Sequence, residues 1–240
     1  YEADRLPDMP SAAVDAEKLR AWFLAETGGH YPADRVRALT NEKATASNIR
    51  KAFTDWLIAS EAGDMVTIFV AGHGMPAGRV KDRGGIFLAH DTDPANPRQS
   101  VLHMTEFREL LAKSVPARQV VILTDLTRGP RMRSGAAIGN DASANTSPTN
   151  SDIRLAMISS GRQRSQQRTP KDEDTRGSIF VRALIQALNG QADMNHDGQV
   201  DMLELSRHVI ANVNKQTRFG VRPEVQGALE GMPPIVPTSQ

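Results

Sequence analysis

The chain has 240 residues, with 29 basic and 28 acidic side chains, a formal net charge of +1 and no cysteine. That balance leaves no field of one sign to draw in nucleic acid or an anionic membrane, and it excludes disulfides, thiolate metal sites and cysteine redox switches. No apolar run approaches the ~18 residues of a bilayer span, no signal peptide is visible, and a 39% hydrophobic content suffices for a buried core at this length.

In chain order, Ser11 is placed to cap a helix whose apolar positions are Ala12, Ala16, Leu19 and Phe23, with Gly28 and Gly29 ending it. Residues 36–39 read as a short strand. A second helix follows Thr45, with Ile49, Phe53, Trp56 and Leu57 on one face. After a turn at Gly63-Asp64, residues 65–71 are nearly all apolar and rich in β-branched types, which suits a strand covered on both faces. Residues 86–89 give a shorter strand, and Thr105 is placed to cap a helix bearing Phe107, Leu110 and Leu111. Residues 120–123 and 154–159 are further strands, and residues 178–188 and 203–213 are helical. Strands alternating with helices indicate an α/β domain with a mostly parallel central sheet and helices on both faces. Residues 129–152 are rich in Gly, Ser, Asn and Pro and read as a long flexible loop. One domain over residues 1–232 and a tail over 233–240 complete the organisation. Because the chain opens at Tyr1 and not at Met, a segment upstream is expected.

Two apolar runs end in polar residues 54 positions apart. One is Phe69-Val70-Ala71-Gly72-His73-Gly74 and the other is Ile122-Leu123-Thr124-Asp125-Leu126-Thr127-Arg128-Gly129. A His followed about 50 residues later by a Cys is a layout of cysteine peptidases; here the layout is intact, but the chain contains no cysteine. In open parallel sheets, ligands bind at the carboxyl ends of strands, where both runs end. The glycines around His73 let backbone approach a substrate, and the Gly74 N–H is a candidate oxyanion donor.

These runs, together with Gly177-Ser178-Ile179-Phe180-Val181-Arg182 and the early pair Asp15-Ala16, resemble the caspase-like cysteine peptidases, within them the metacaspase and bacterial branch. The resemblance implies a caspase-like three-layer sandwich and an opening strand ahead of Tyr1. It also implies that the family's Asp-x-Cys turn falls on Asp125-Leu126-Thr127. Thr127 then stands where the attacking Cys belongs, with His73 as its base. A thiol is partly ionised at neutral pH and strongly nucleophilic, whereas threonine nucleophiles rely on the chain's own terminal amine. Asp125 is implied to line a pocket for a basic substrate residue, by paired hydrogen bonds to Arg or Lys, with Asp91 and Asp93 as candidates for a second acid. The family's Gln-x-Ser-x-Glu run is matched at Gln163 and Ser165 but has Gln167 in place of the acid. The expected function is therefore a catalytically degenerate peptidase domain that binds a protein or an Arg/Lys-containing peptide. The alternative is an active Arg/Lys-specific endopeptidase, with Thr127 as nucleophile or standing in place of a native Cys.

Residues 193–204 match the twelve-residue EF-hand loop. Oxygen ligands fall at Asp193, Asn195, Asp197, the Gln199 carbonyl, Asp201 and Glu204, with Gly198 at the sharp turn. Ca²⁺ is the expected cofactor. The competing reading is a turn that only joins two helices.

Overall fold

The computed structural model describes residues 9–76, 85–93, 100–128, 153–161, 177–218, 220–227 and 229–235. Six strands form one sheet: β1 (Met65–Pro76), β2 (Gly85–Leu88), β3 (Val101–His103), β4 (Gln119–Arg128), β5 (Arg154–Ser159) and β6 (Glu224–Gly227). Their spatial order is β3-β2-β1-β4-β5-β6. The central three, β1, β4 and β5, run parallel. The flanking pairs β1–β2, β2–β3 and β5–β6 are antiparallel. This is an α/β sheet, mixed at its edges.

Alternation along β4 explains the layering. Val121 and Leu123 point to one face and Val120 and Ile122 to the other, as period-two side chains must. All four are buried. The first face packs against α1 (Pro10–Leu24), α4 (Ile179–Gln186) and α5 (Met202–Gln216) through Leu19, Phe180, Val181, Leu184, Leu205 and Val209. The second packs against α2 (Ala46–Lys51), its π-turn continuation Ala52–Trp56, and α3 (Met104–Ser114), through Phe53, Phe107 and Leu111.

Several expectations need correction. β1 runs on to Pro76, because residues 73–76 pair with β2, so His73 and Gly74 lie within the strand and not in a turn beyond it. β4 likewise carries Thr127 inside the ladder. α1 starts at Pro10 with Met9 as its N-cap, since the fixed φ of proline suits the first helical position; Ser11 is inside the helix. α3 starts at Met104 and not after Thr105. Thr45 does cap α2, its Oγ1 accepting from Asn48 N–H at 3.1 Å.

Residues 36–39 form no strand. The backbone at both ends of that segment is extended, with Val36 at φ −124°, ψ 116° and Thr40 at φ −124°, ψ 149°, but among the described residues no strand pairs with it. β1 has a matching gap. Residues 65–72 pair with β4 on one side, and among the described residues no strand pairs with them on the other. Val36, Leu39, Leu19, Phe23, Ile68 and Val70 all line a cavity of about 1530 Å³ beside this open edge.

Candidate functional site

The β1–β4 register sets His73 opposite Thr127. Paired positions on neighbouring strands are about 4.8 Å apart and point to the same face, so the ladder alone brings the two side chains together. Gly72, just ahead of His73, has φ 149°, a conformation open essentially to glycine alone. The Thr127 Oγ1 lies 3.2 Å from His73 Nδ1. The imidazole is buried, at 5% exposure, and Thr127 is half-buried. Two further acceptors sit near the same hydroxyl: Met9 Sδ at 3.1 Å and the Gly72 carbonyl oxygen at 3.5 Å. A hydroxyl has one proton to give. It reaches His73 Nδ1 only when the ring carries its own proton on Nε2.

Asp125 lies two residues before Thr127 on the same face of β4. Its carboxyl is hydrogen-bonded to Ser160, just past β5, and to Ser178, the N-cap of α4. Burial raises its pKa above the ordinary aspartate value of 3.8, and the two serine hydrogen bonds partly oppose that rise. Ser178 is held from a second side. Its N–H donates to Asp15 Oδ1 at 2.8 Å, while its Oγ accepts from Val181 N–H at 3.1 Å. Asp15 is 1% exposed. Gly177 makes this approach possible. Its φ is +76°, and a Cβ there would lie 2.5 Å from Asp15 Oδ1. Two carboxylates therefore converge on one serine beside the His73–Thr127 pair.

The caspase-domain family model matches the chain over residues 1–232. The chain belongs to the caspase-domain family. A solved structure of a protein from Geobacter sulfurreducens shares the fold, with a TM-score of 0.59 at 16% identity, covering 90% of this chain and 83% of that one. No curated protein matches the chain.

Within the caspase domain, the other site expectations are placed as follows. Gly74 lies between Phe87 on β2 and Arg128 on β4, where a strand N–H lies in the plane of the sheet. Asp91 accepts from Ala46 N–H at 2.9 Å, at the start of α2 on the opposite face from Asp125. Asp93 is exposed, its N–H donating to Ser100 Oγ at 3.2 Å. The acid nearest Asp125 by hydrogen-bond connection is thus Asp15, not Asp91 or Asp93. A signal for it was in the sequence: Asp15 is three residues from Ala12 and four from Leu19, on the apolar stripe of its helix. Gln163, Ser165 and Gln167, and the loop over residues 129–152, lie outside the described residues.

Residues 193–204 connect α4, through its π-turn extension Ala187–Gln191, to α5. The loop is knitted by its own backbone. Asp193 Oδ2 accepts from Gly198 N–H at 3.0 Å, Asn195 Oδ1 from Asp197 N–H at 2.9 Å, and Asp197 Oδ1 from Gln199 N–H at 2.8 Å. Asp201 and Glu204 form a reciprocal capping box on α5, and Glu204 Oε1 also accepts from Met194 N–H at 3.0 Å. With these oxygens turned to amides, no three acidic or histidine side chains among the described residues form a metal shell. One atom stands apart: Asp193 Oδ1 is buried without a hydrogen-bond partner. A buried, unsatisfied carboxylate oxygen is costly in a dry loop and suits a hard, oxygen-seeking cation. No helix among the described residues is long and apolar enough to cross a membrane.

Proposed function

We propose that this caspase domain binds Arg- or Lys-containing peptide segments of a protein partner without cleaving them. The observation that carries this reading is the 3.2 Å contact between His73 Nδ1 and a threonine hydroxyl: the imidazole that would serve as base meets an oxygen and no sulfur. A hydroxyl needs a strong base to become a nucleophile, and the extra methyl of threonine crowds the attacked carbon. The basic side chain is received by Asp125, with Asp15 as the second acid reached through Ser178. A guanidinium bound by Asp125 gains charge-assisted hydrogen bonds in a partly dry site.

Isothermal titration with short peptides tests this reading. An Arg or Lys peptide binds, its Glu counterpart does not, and Asp125→Asn weakens Arg-peptide binding by about tenfold or more. Equal binding of the Arg and Glu peptides contradicts it.

A second role attaches to residues 193–204, favoured by the unsatisfied Asp193 Oδ1. Asp193, Asn195, Asp197, the Gln199 carbonyl, Asp201 and Glu204 would hold Ca²⁺. The ion would neutralise their charge and fasten α4 to α5. Because Ser178 caps α4, the loop and the acidic pocket share one helix.

A further inference from the structure

Met9 sits on the atom where the chemistry of this site is centred. Its Sδ is 3.1 Å from Thr127 Oγ1, closer than the imidazole nitrogen at 3.2 Å. A thioether is a weak acceptor, so hydrogen-bond strength alone gives little reason for sulfur at this position. What the side chain does there is fill space. A carbonyl attacked from residue 127 must come within about 3–3.5 Å of the attacking atom, and Met9 lies at that range.

Three observations mark this as a movable cover and not a wall. Met9 precedes the first turn of α1 at φ −123°, ψ 75° and makes no side-chain capping bond, so no helical ladder depends on its side chain. Methionine is unbranched, with three rotatable bonds, and adapts to irregular space. Met9 also lines the apolar cavity of about 1530 Å³ beside β1. A side chain that swings away from Thr127 therefore has an apolar place to go and keeps much of its burial.

We propose that Met9 is a gate over residue 127, closed in the resting protein and opened by a swing of its side chain into the adjoining cavity. This rests on the proposed function only in taking position 127 as the place where a substrate carbonyl would lie. The gate also competes for the hydroxyl proton. While Thr127 donates to Met9 Sδ, it cannot donate to His73, so a closed gate withholds the proton from the base.

Accessibility is measured directly by placing a thiol at this position. In a Thr127→Cys protein, iodoacetamide forms a sulfur–carbon bond as iodide leaves, and the rate is followed by mass spectrometry. Adding Met9→Ala speeds alkylation roughly fivefold, since half the burial of a methionine no longer has to be given up on opening. Adding Met9→Leu, which keeps the volume, leaves the rate within about twofold of the single variant. Equal rates with Met9 and with Met9→Ala overturn the gate. Should Met9→Ala fail to melt cooperatively, the Thr127→Cys protein alone decides. With each rate normalised to glutathione, a gate slows iodoacetanilide more than iodoacetamide, and identical normalised rates overturn it. Neither readout depends on peptide binding, so the gate and the peptide-binding reading fail separately.

Discussion

At position 127 the proposed loss of cleavage rests on the kind of side chain and not on its placement. The register of β1 against β4 brings any side chain at 127 to His73, so geometry does not distinguish a thiol from a hydroxyl; acidity does. Asp125 has the opposite character, a group whose environment makes it hard to ionise. Its pKa is raised by burial, so it contributes stability that is fully present below the unfolded aspartate pKa and is lost as pH rises through the folded one. Above the raised pKa the ionised carboxylate is therefore a cost to the free fold and an attraction to a cation. Two outcomes follow for Asp125→Asn. The variant melts higher than the parent above the raised pKa, and that advantage disappears as pH falls below it, as calorimetry at several pH values would show. In the parent, Arg-peptide affinity falls as pH is lowered through the raised Asp125 pKa, at a higher pH than an ordinary aspartate gives, and in the variant that slope is gone.

At the scale of elements, long buried strands and amphipathic helices were legible because their apolar periods are set by burial on one or two faces. The 154–159 strand coincides with β5, and residues 178–188 and 203–213 fall on α4 and α5. Short edge strands were not legible. β3 and β6 have three and four residues, too few to show a period. The carboxyl ends of β1 and β4 read as turns because Gly72, Gly74 and Asp125 are poor strand formers, and only pairing with neighbouring strands keeps them extended. Asp15 was recognised only as part of a family match, since a lone acid in a helix is normally solvated and its partner Ser178 is 163 residues away. That contact depends on Gly177. Gly177→Ala places a methyl against Asp15 Oδ1 in a backbone conformation that disfavours it, and a loss of about 2 kcal/mol or more is expected from urea unfolding. The proposed Ca²⁺ site lies in the connection between α4 and α5. Millimolar Ca²⁺ should raise the melting temperature by about 2–4 °C, and Glu204→Gln should abolish the response while keeping the capping box, which accepts Gln.

For the whole molecule, the edge of β1 over residues 65–72, with which no strand pairs among the described residues, is the main structural liability. Residues 65–72 are a strand and the backbone is extended at Val36 and Thr40, and both segments line an apolar cavity together with residues of α1 and of the α2 side. Unpaired strand edges invite another strand. An apolar strand supplied through an extension ahead of Tyr1 should slow amide exchange over residues 65–72 and raise the melting temperature by about 5 °C or more; unchanged exchange there would mean that the slot does not take a strand.

The central claim is that this caspase domain has kept its base and its acidic pocket but not a working nucleophile. The most direct measurement is turnover of a fluorogenic Arg peptide by the protein, by Thr127→Cys, and by Thr127→Cys with His73→Ala. No cleavage by the protein, cleavage after Arg by Thr127→Cys, and its loss when His73 is also replaced is the predicted result. Cleavage by the unaltered protein that vanishes in His73→Ala would contradict the account.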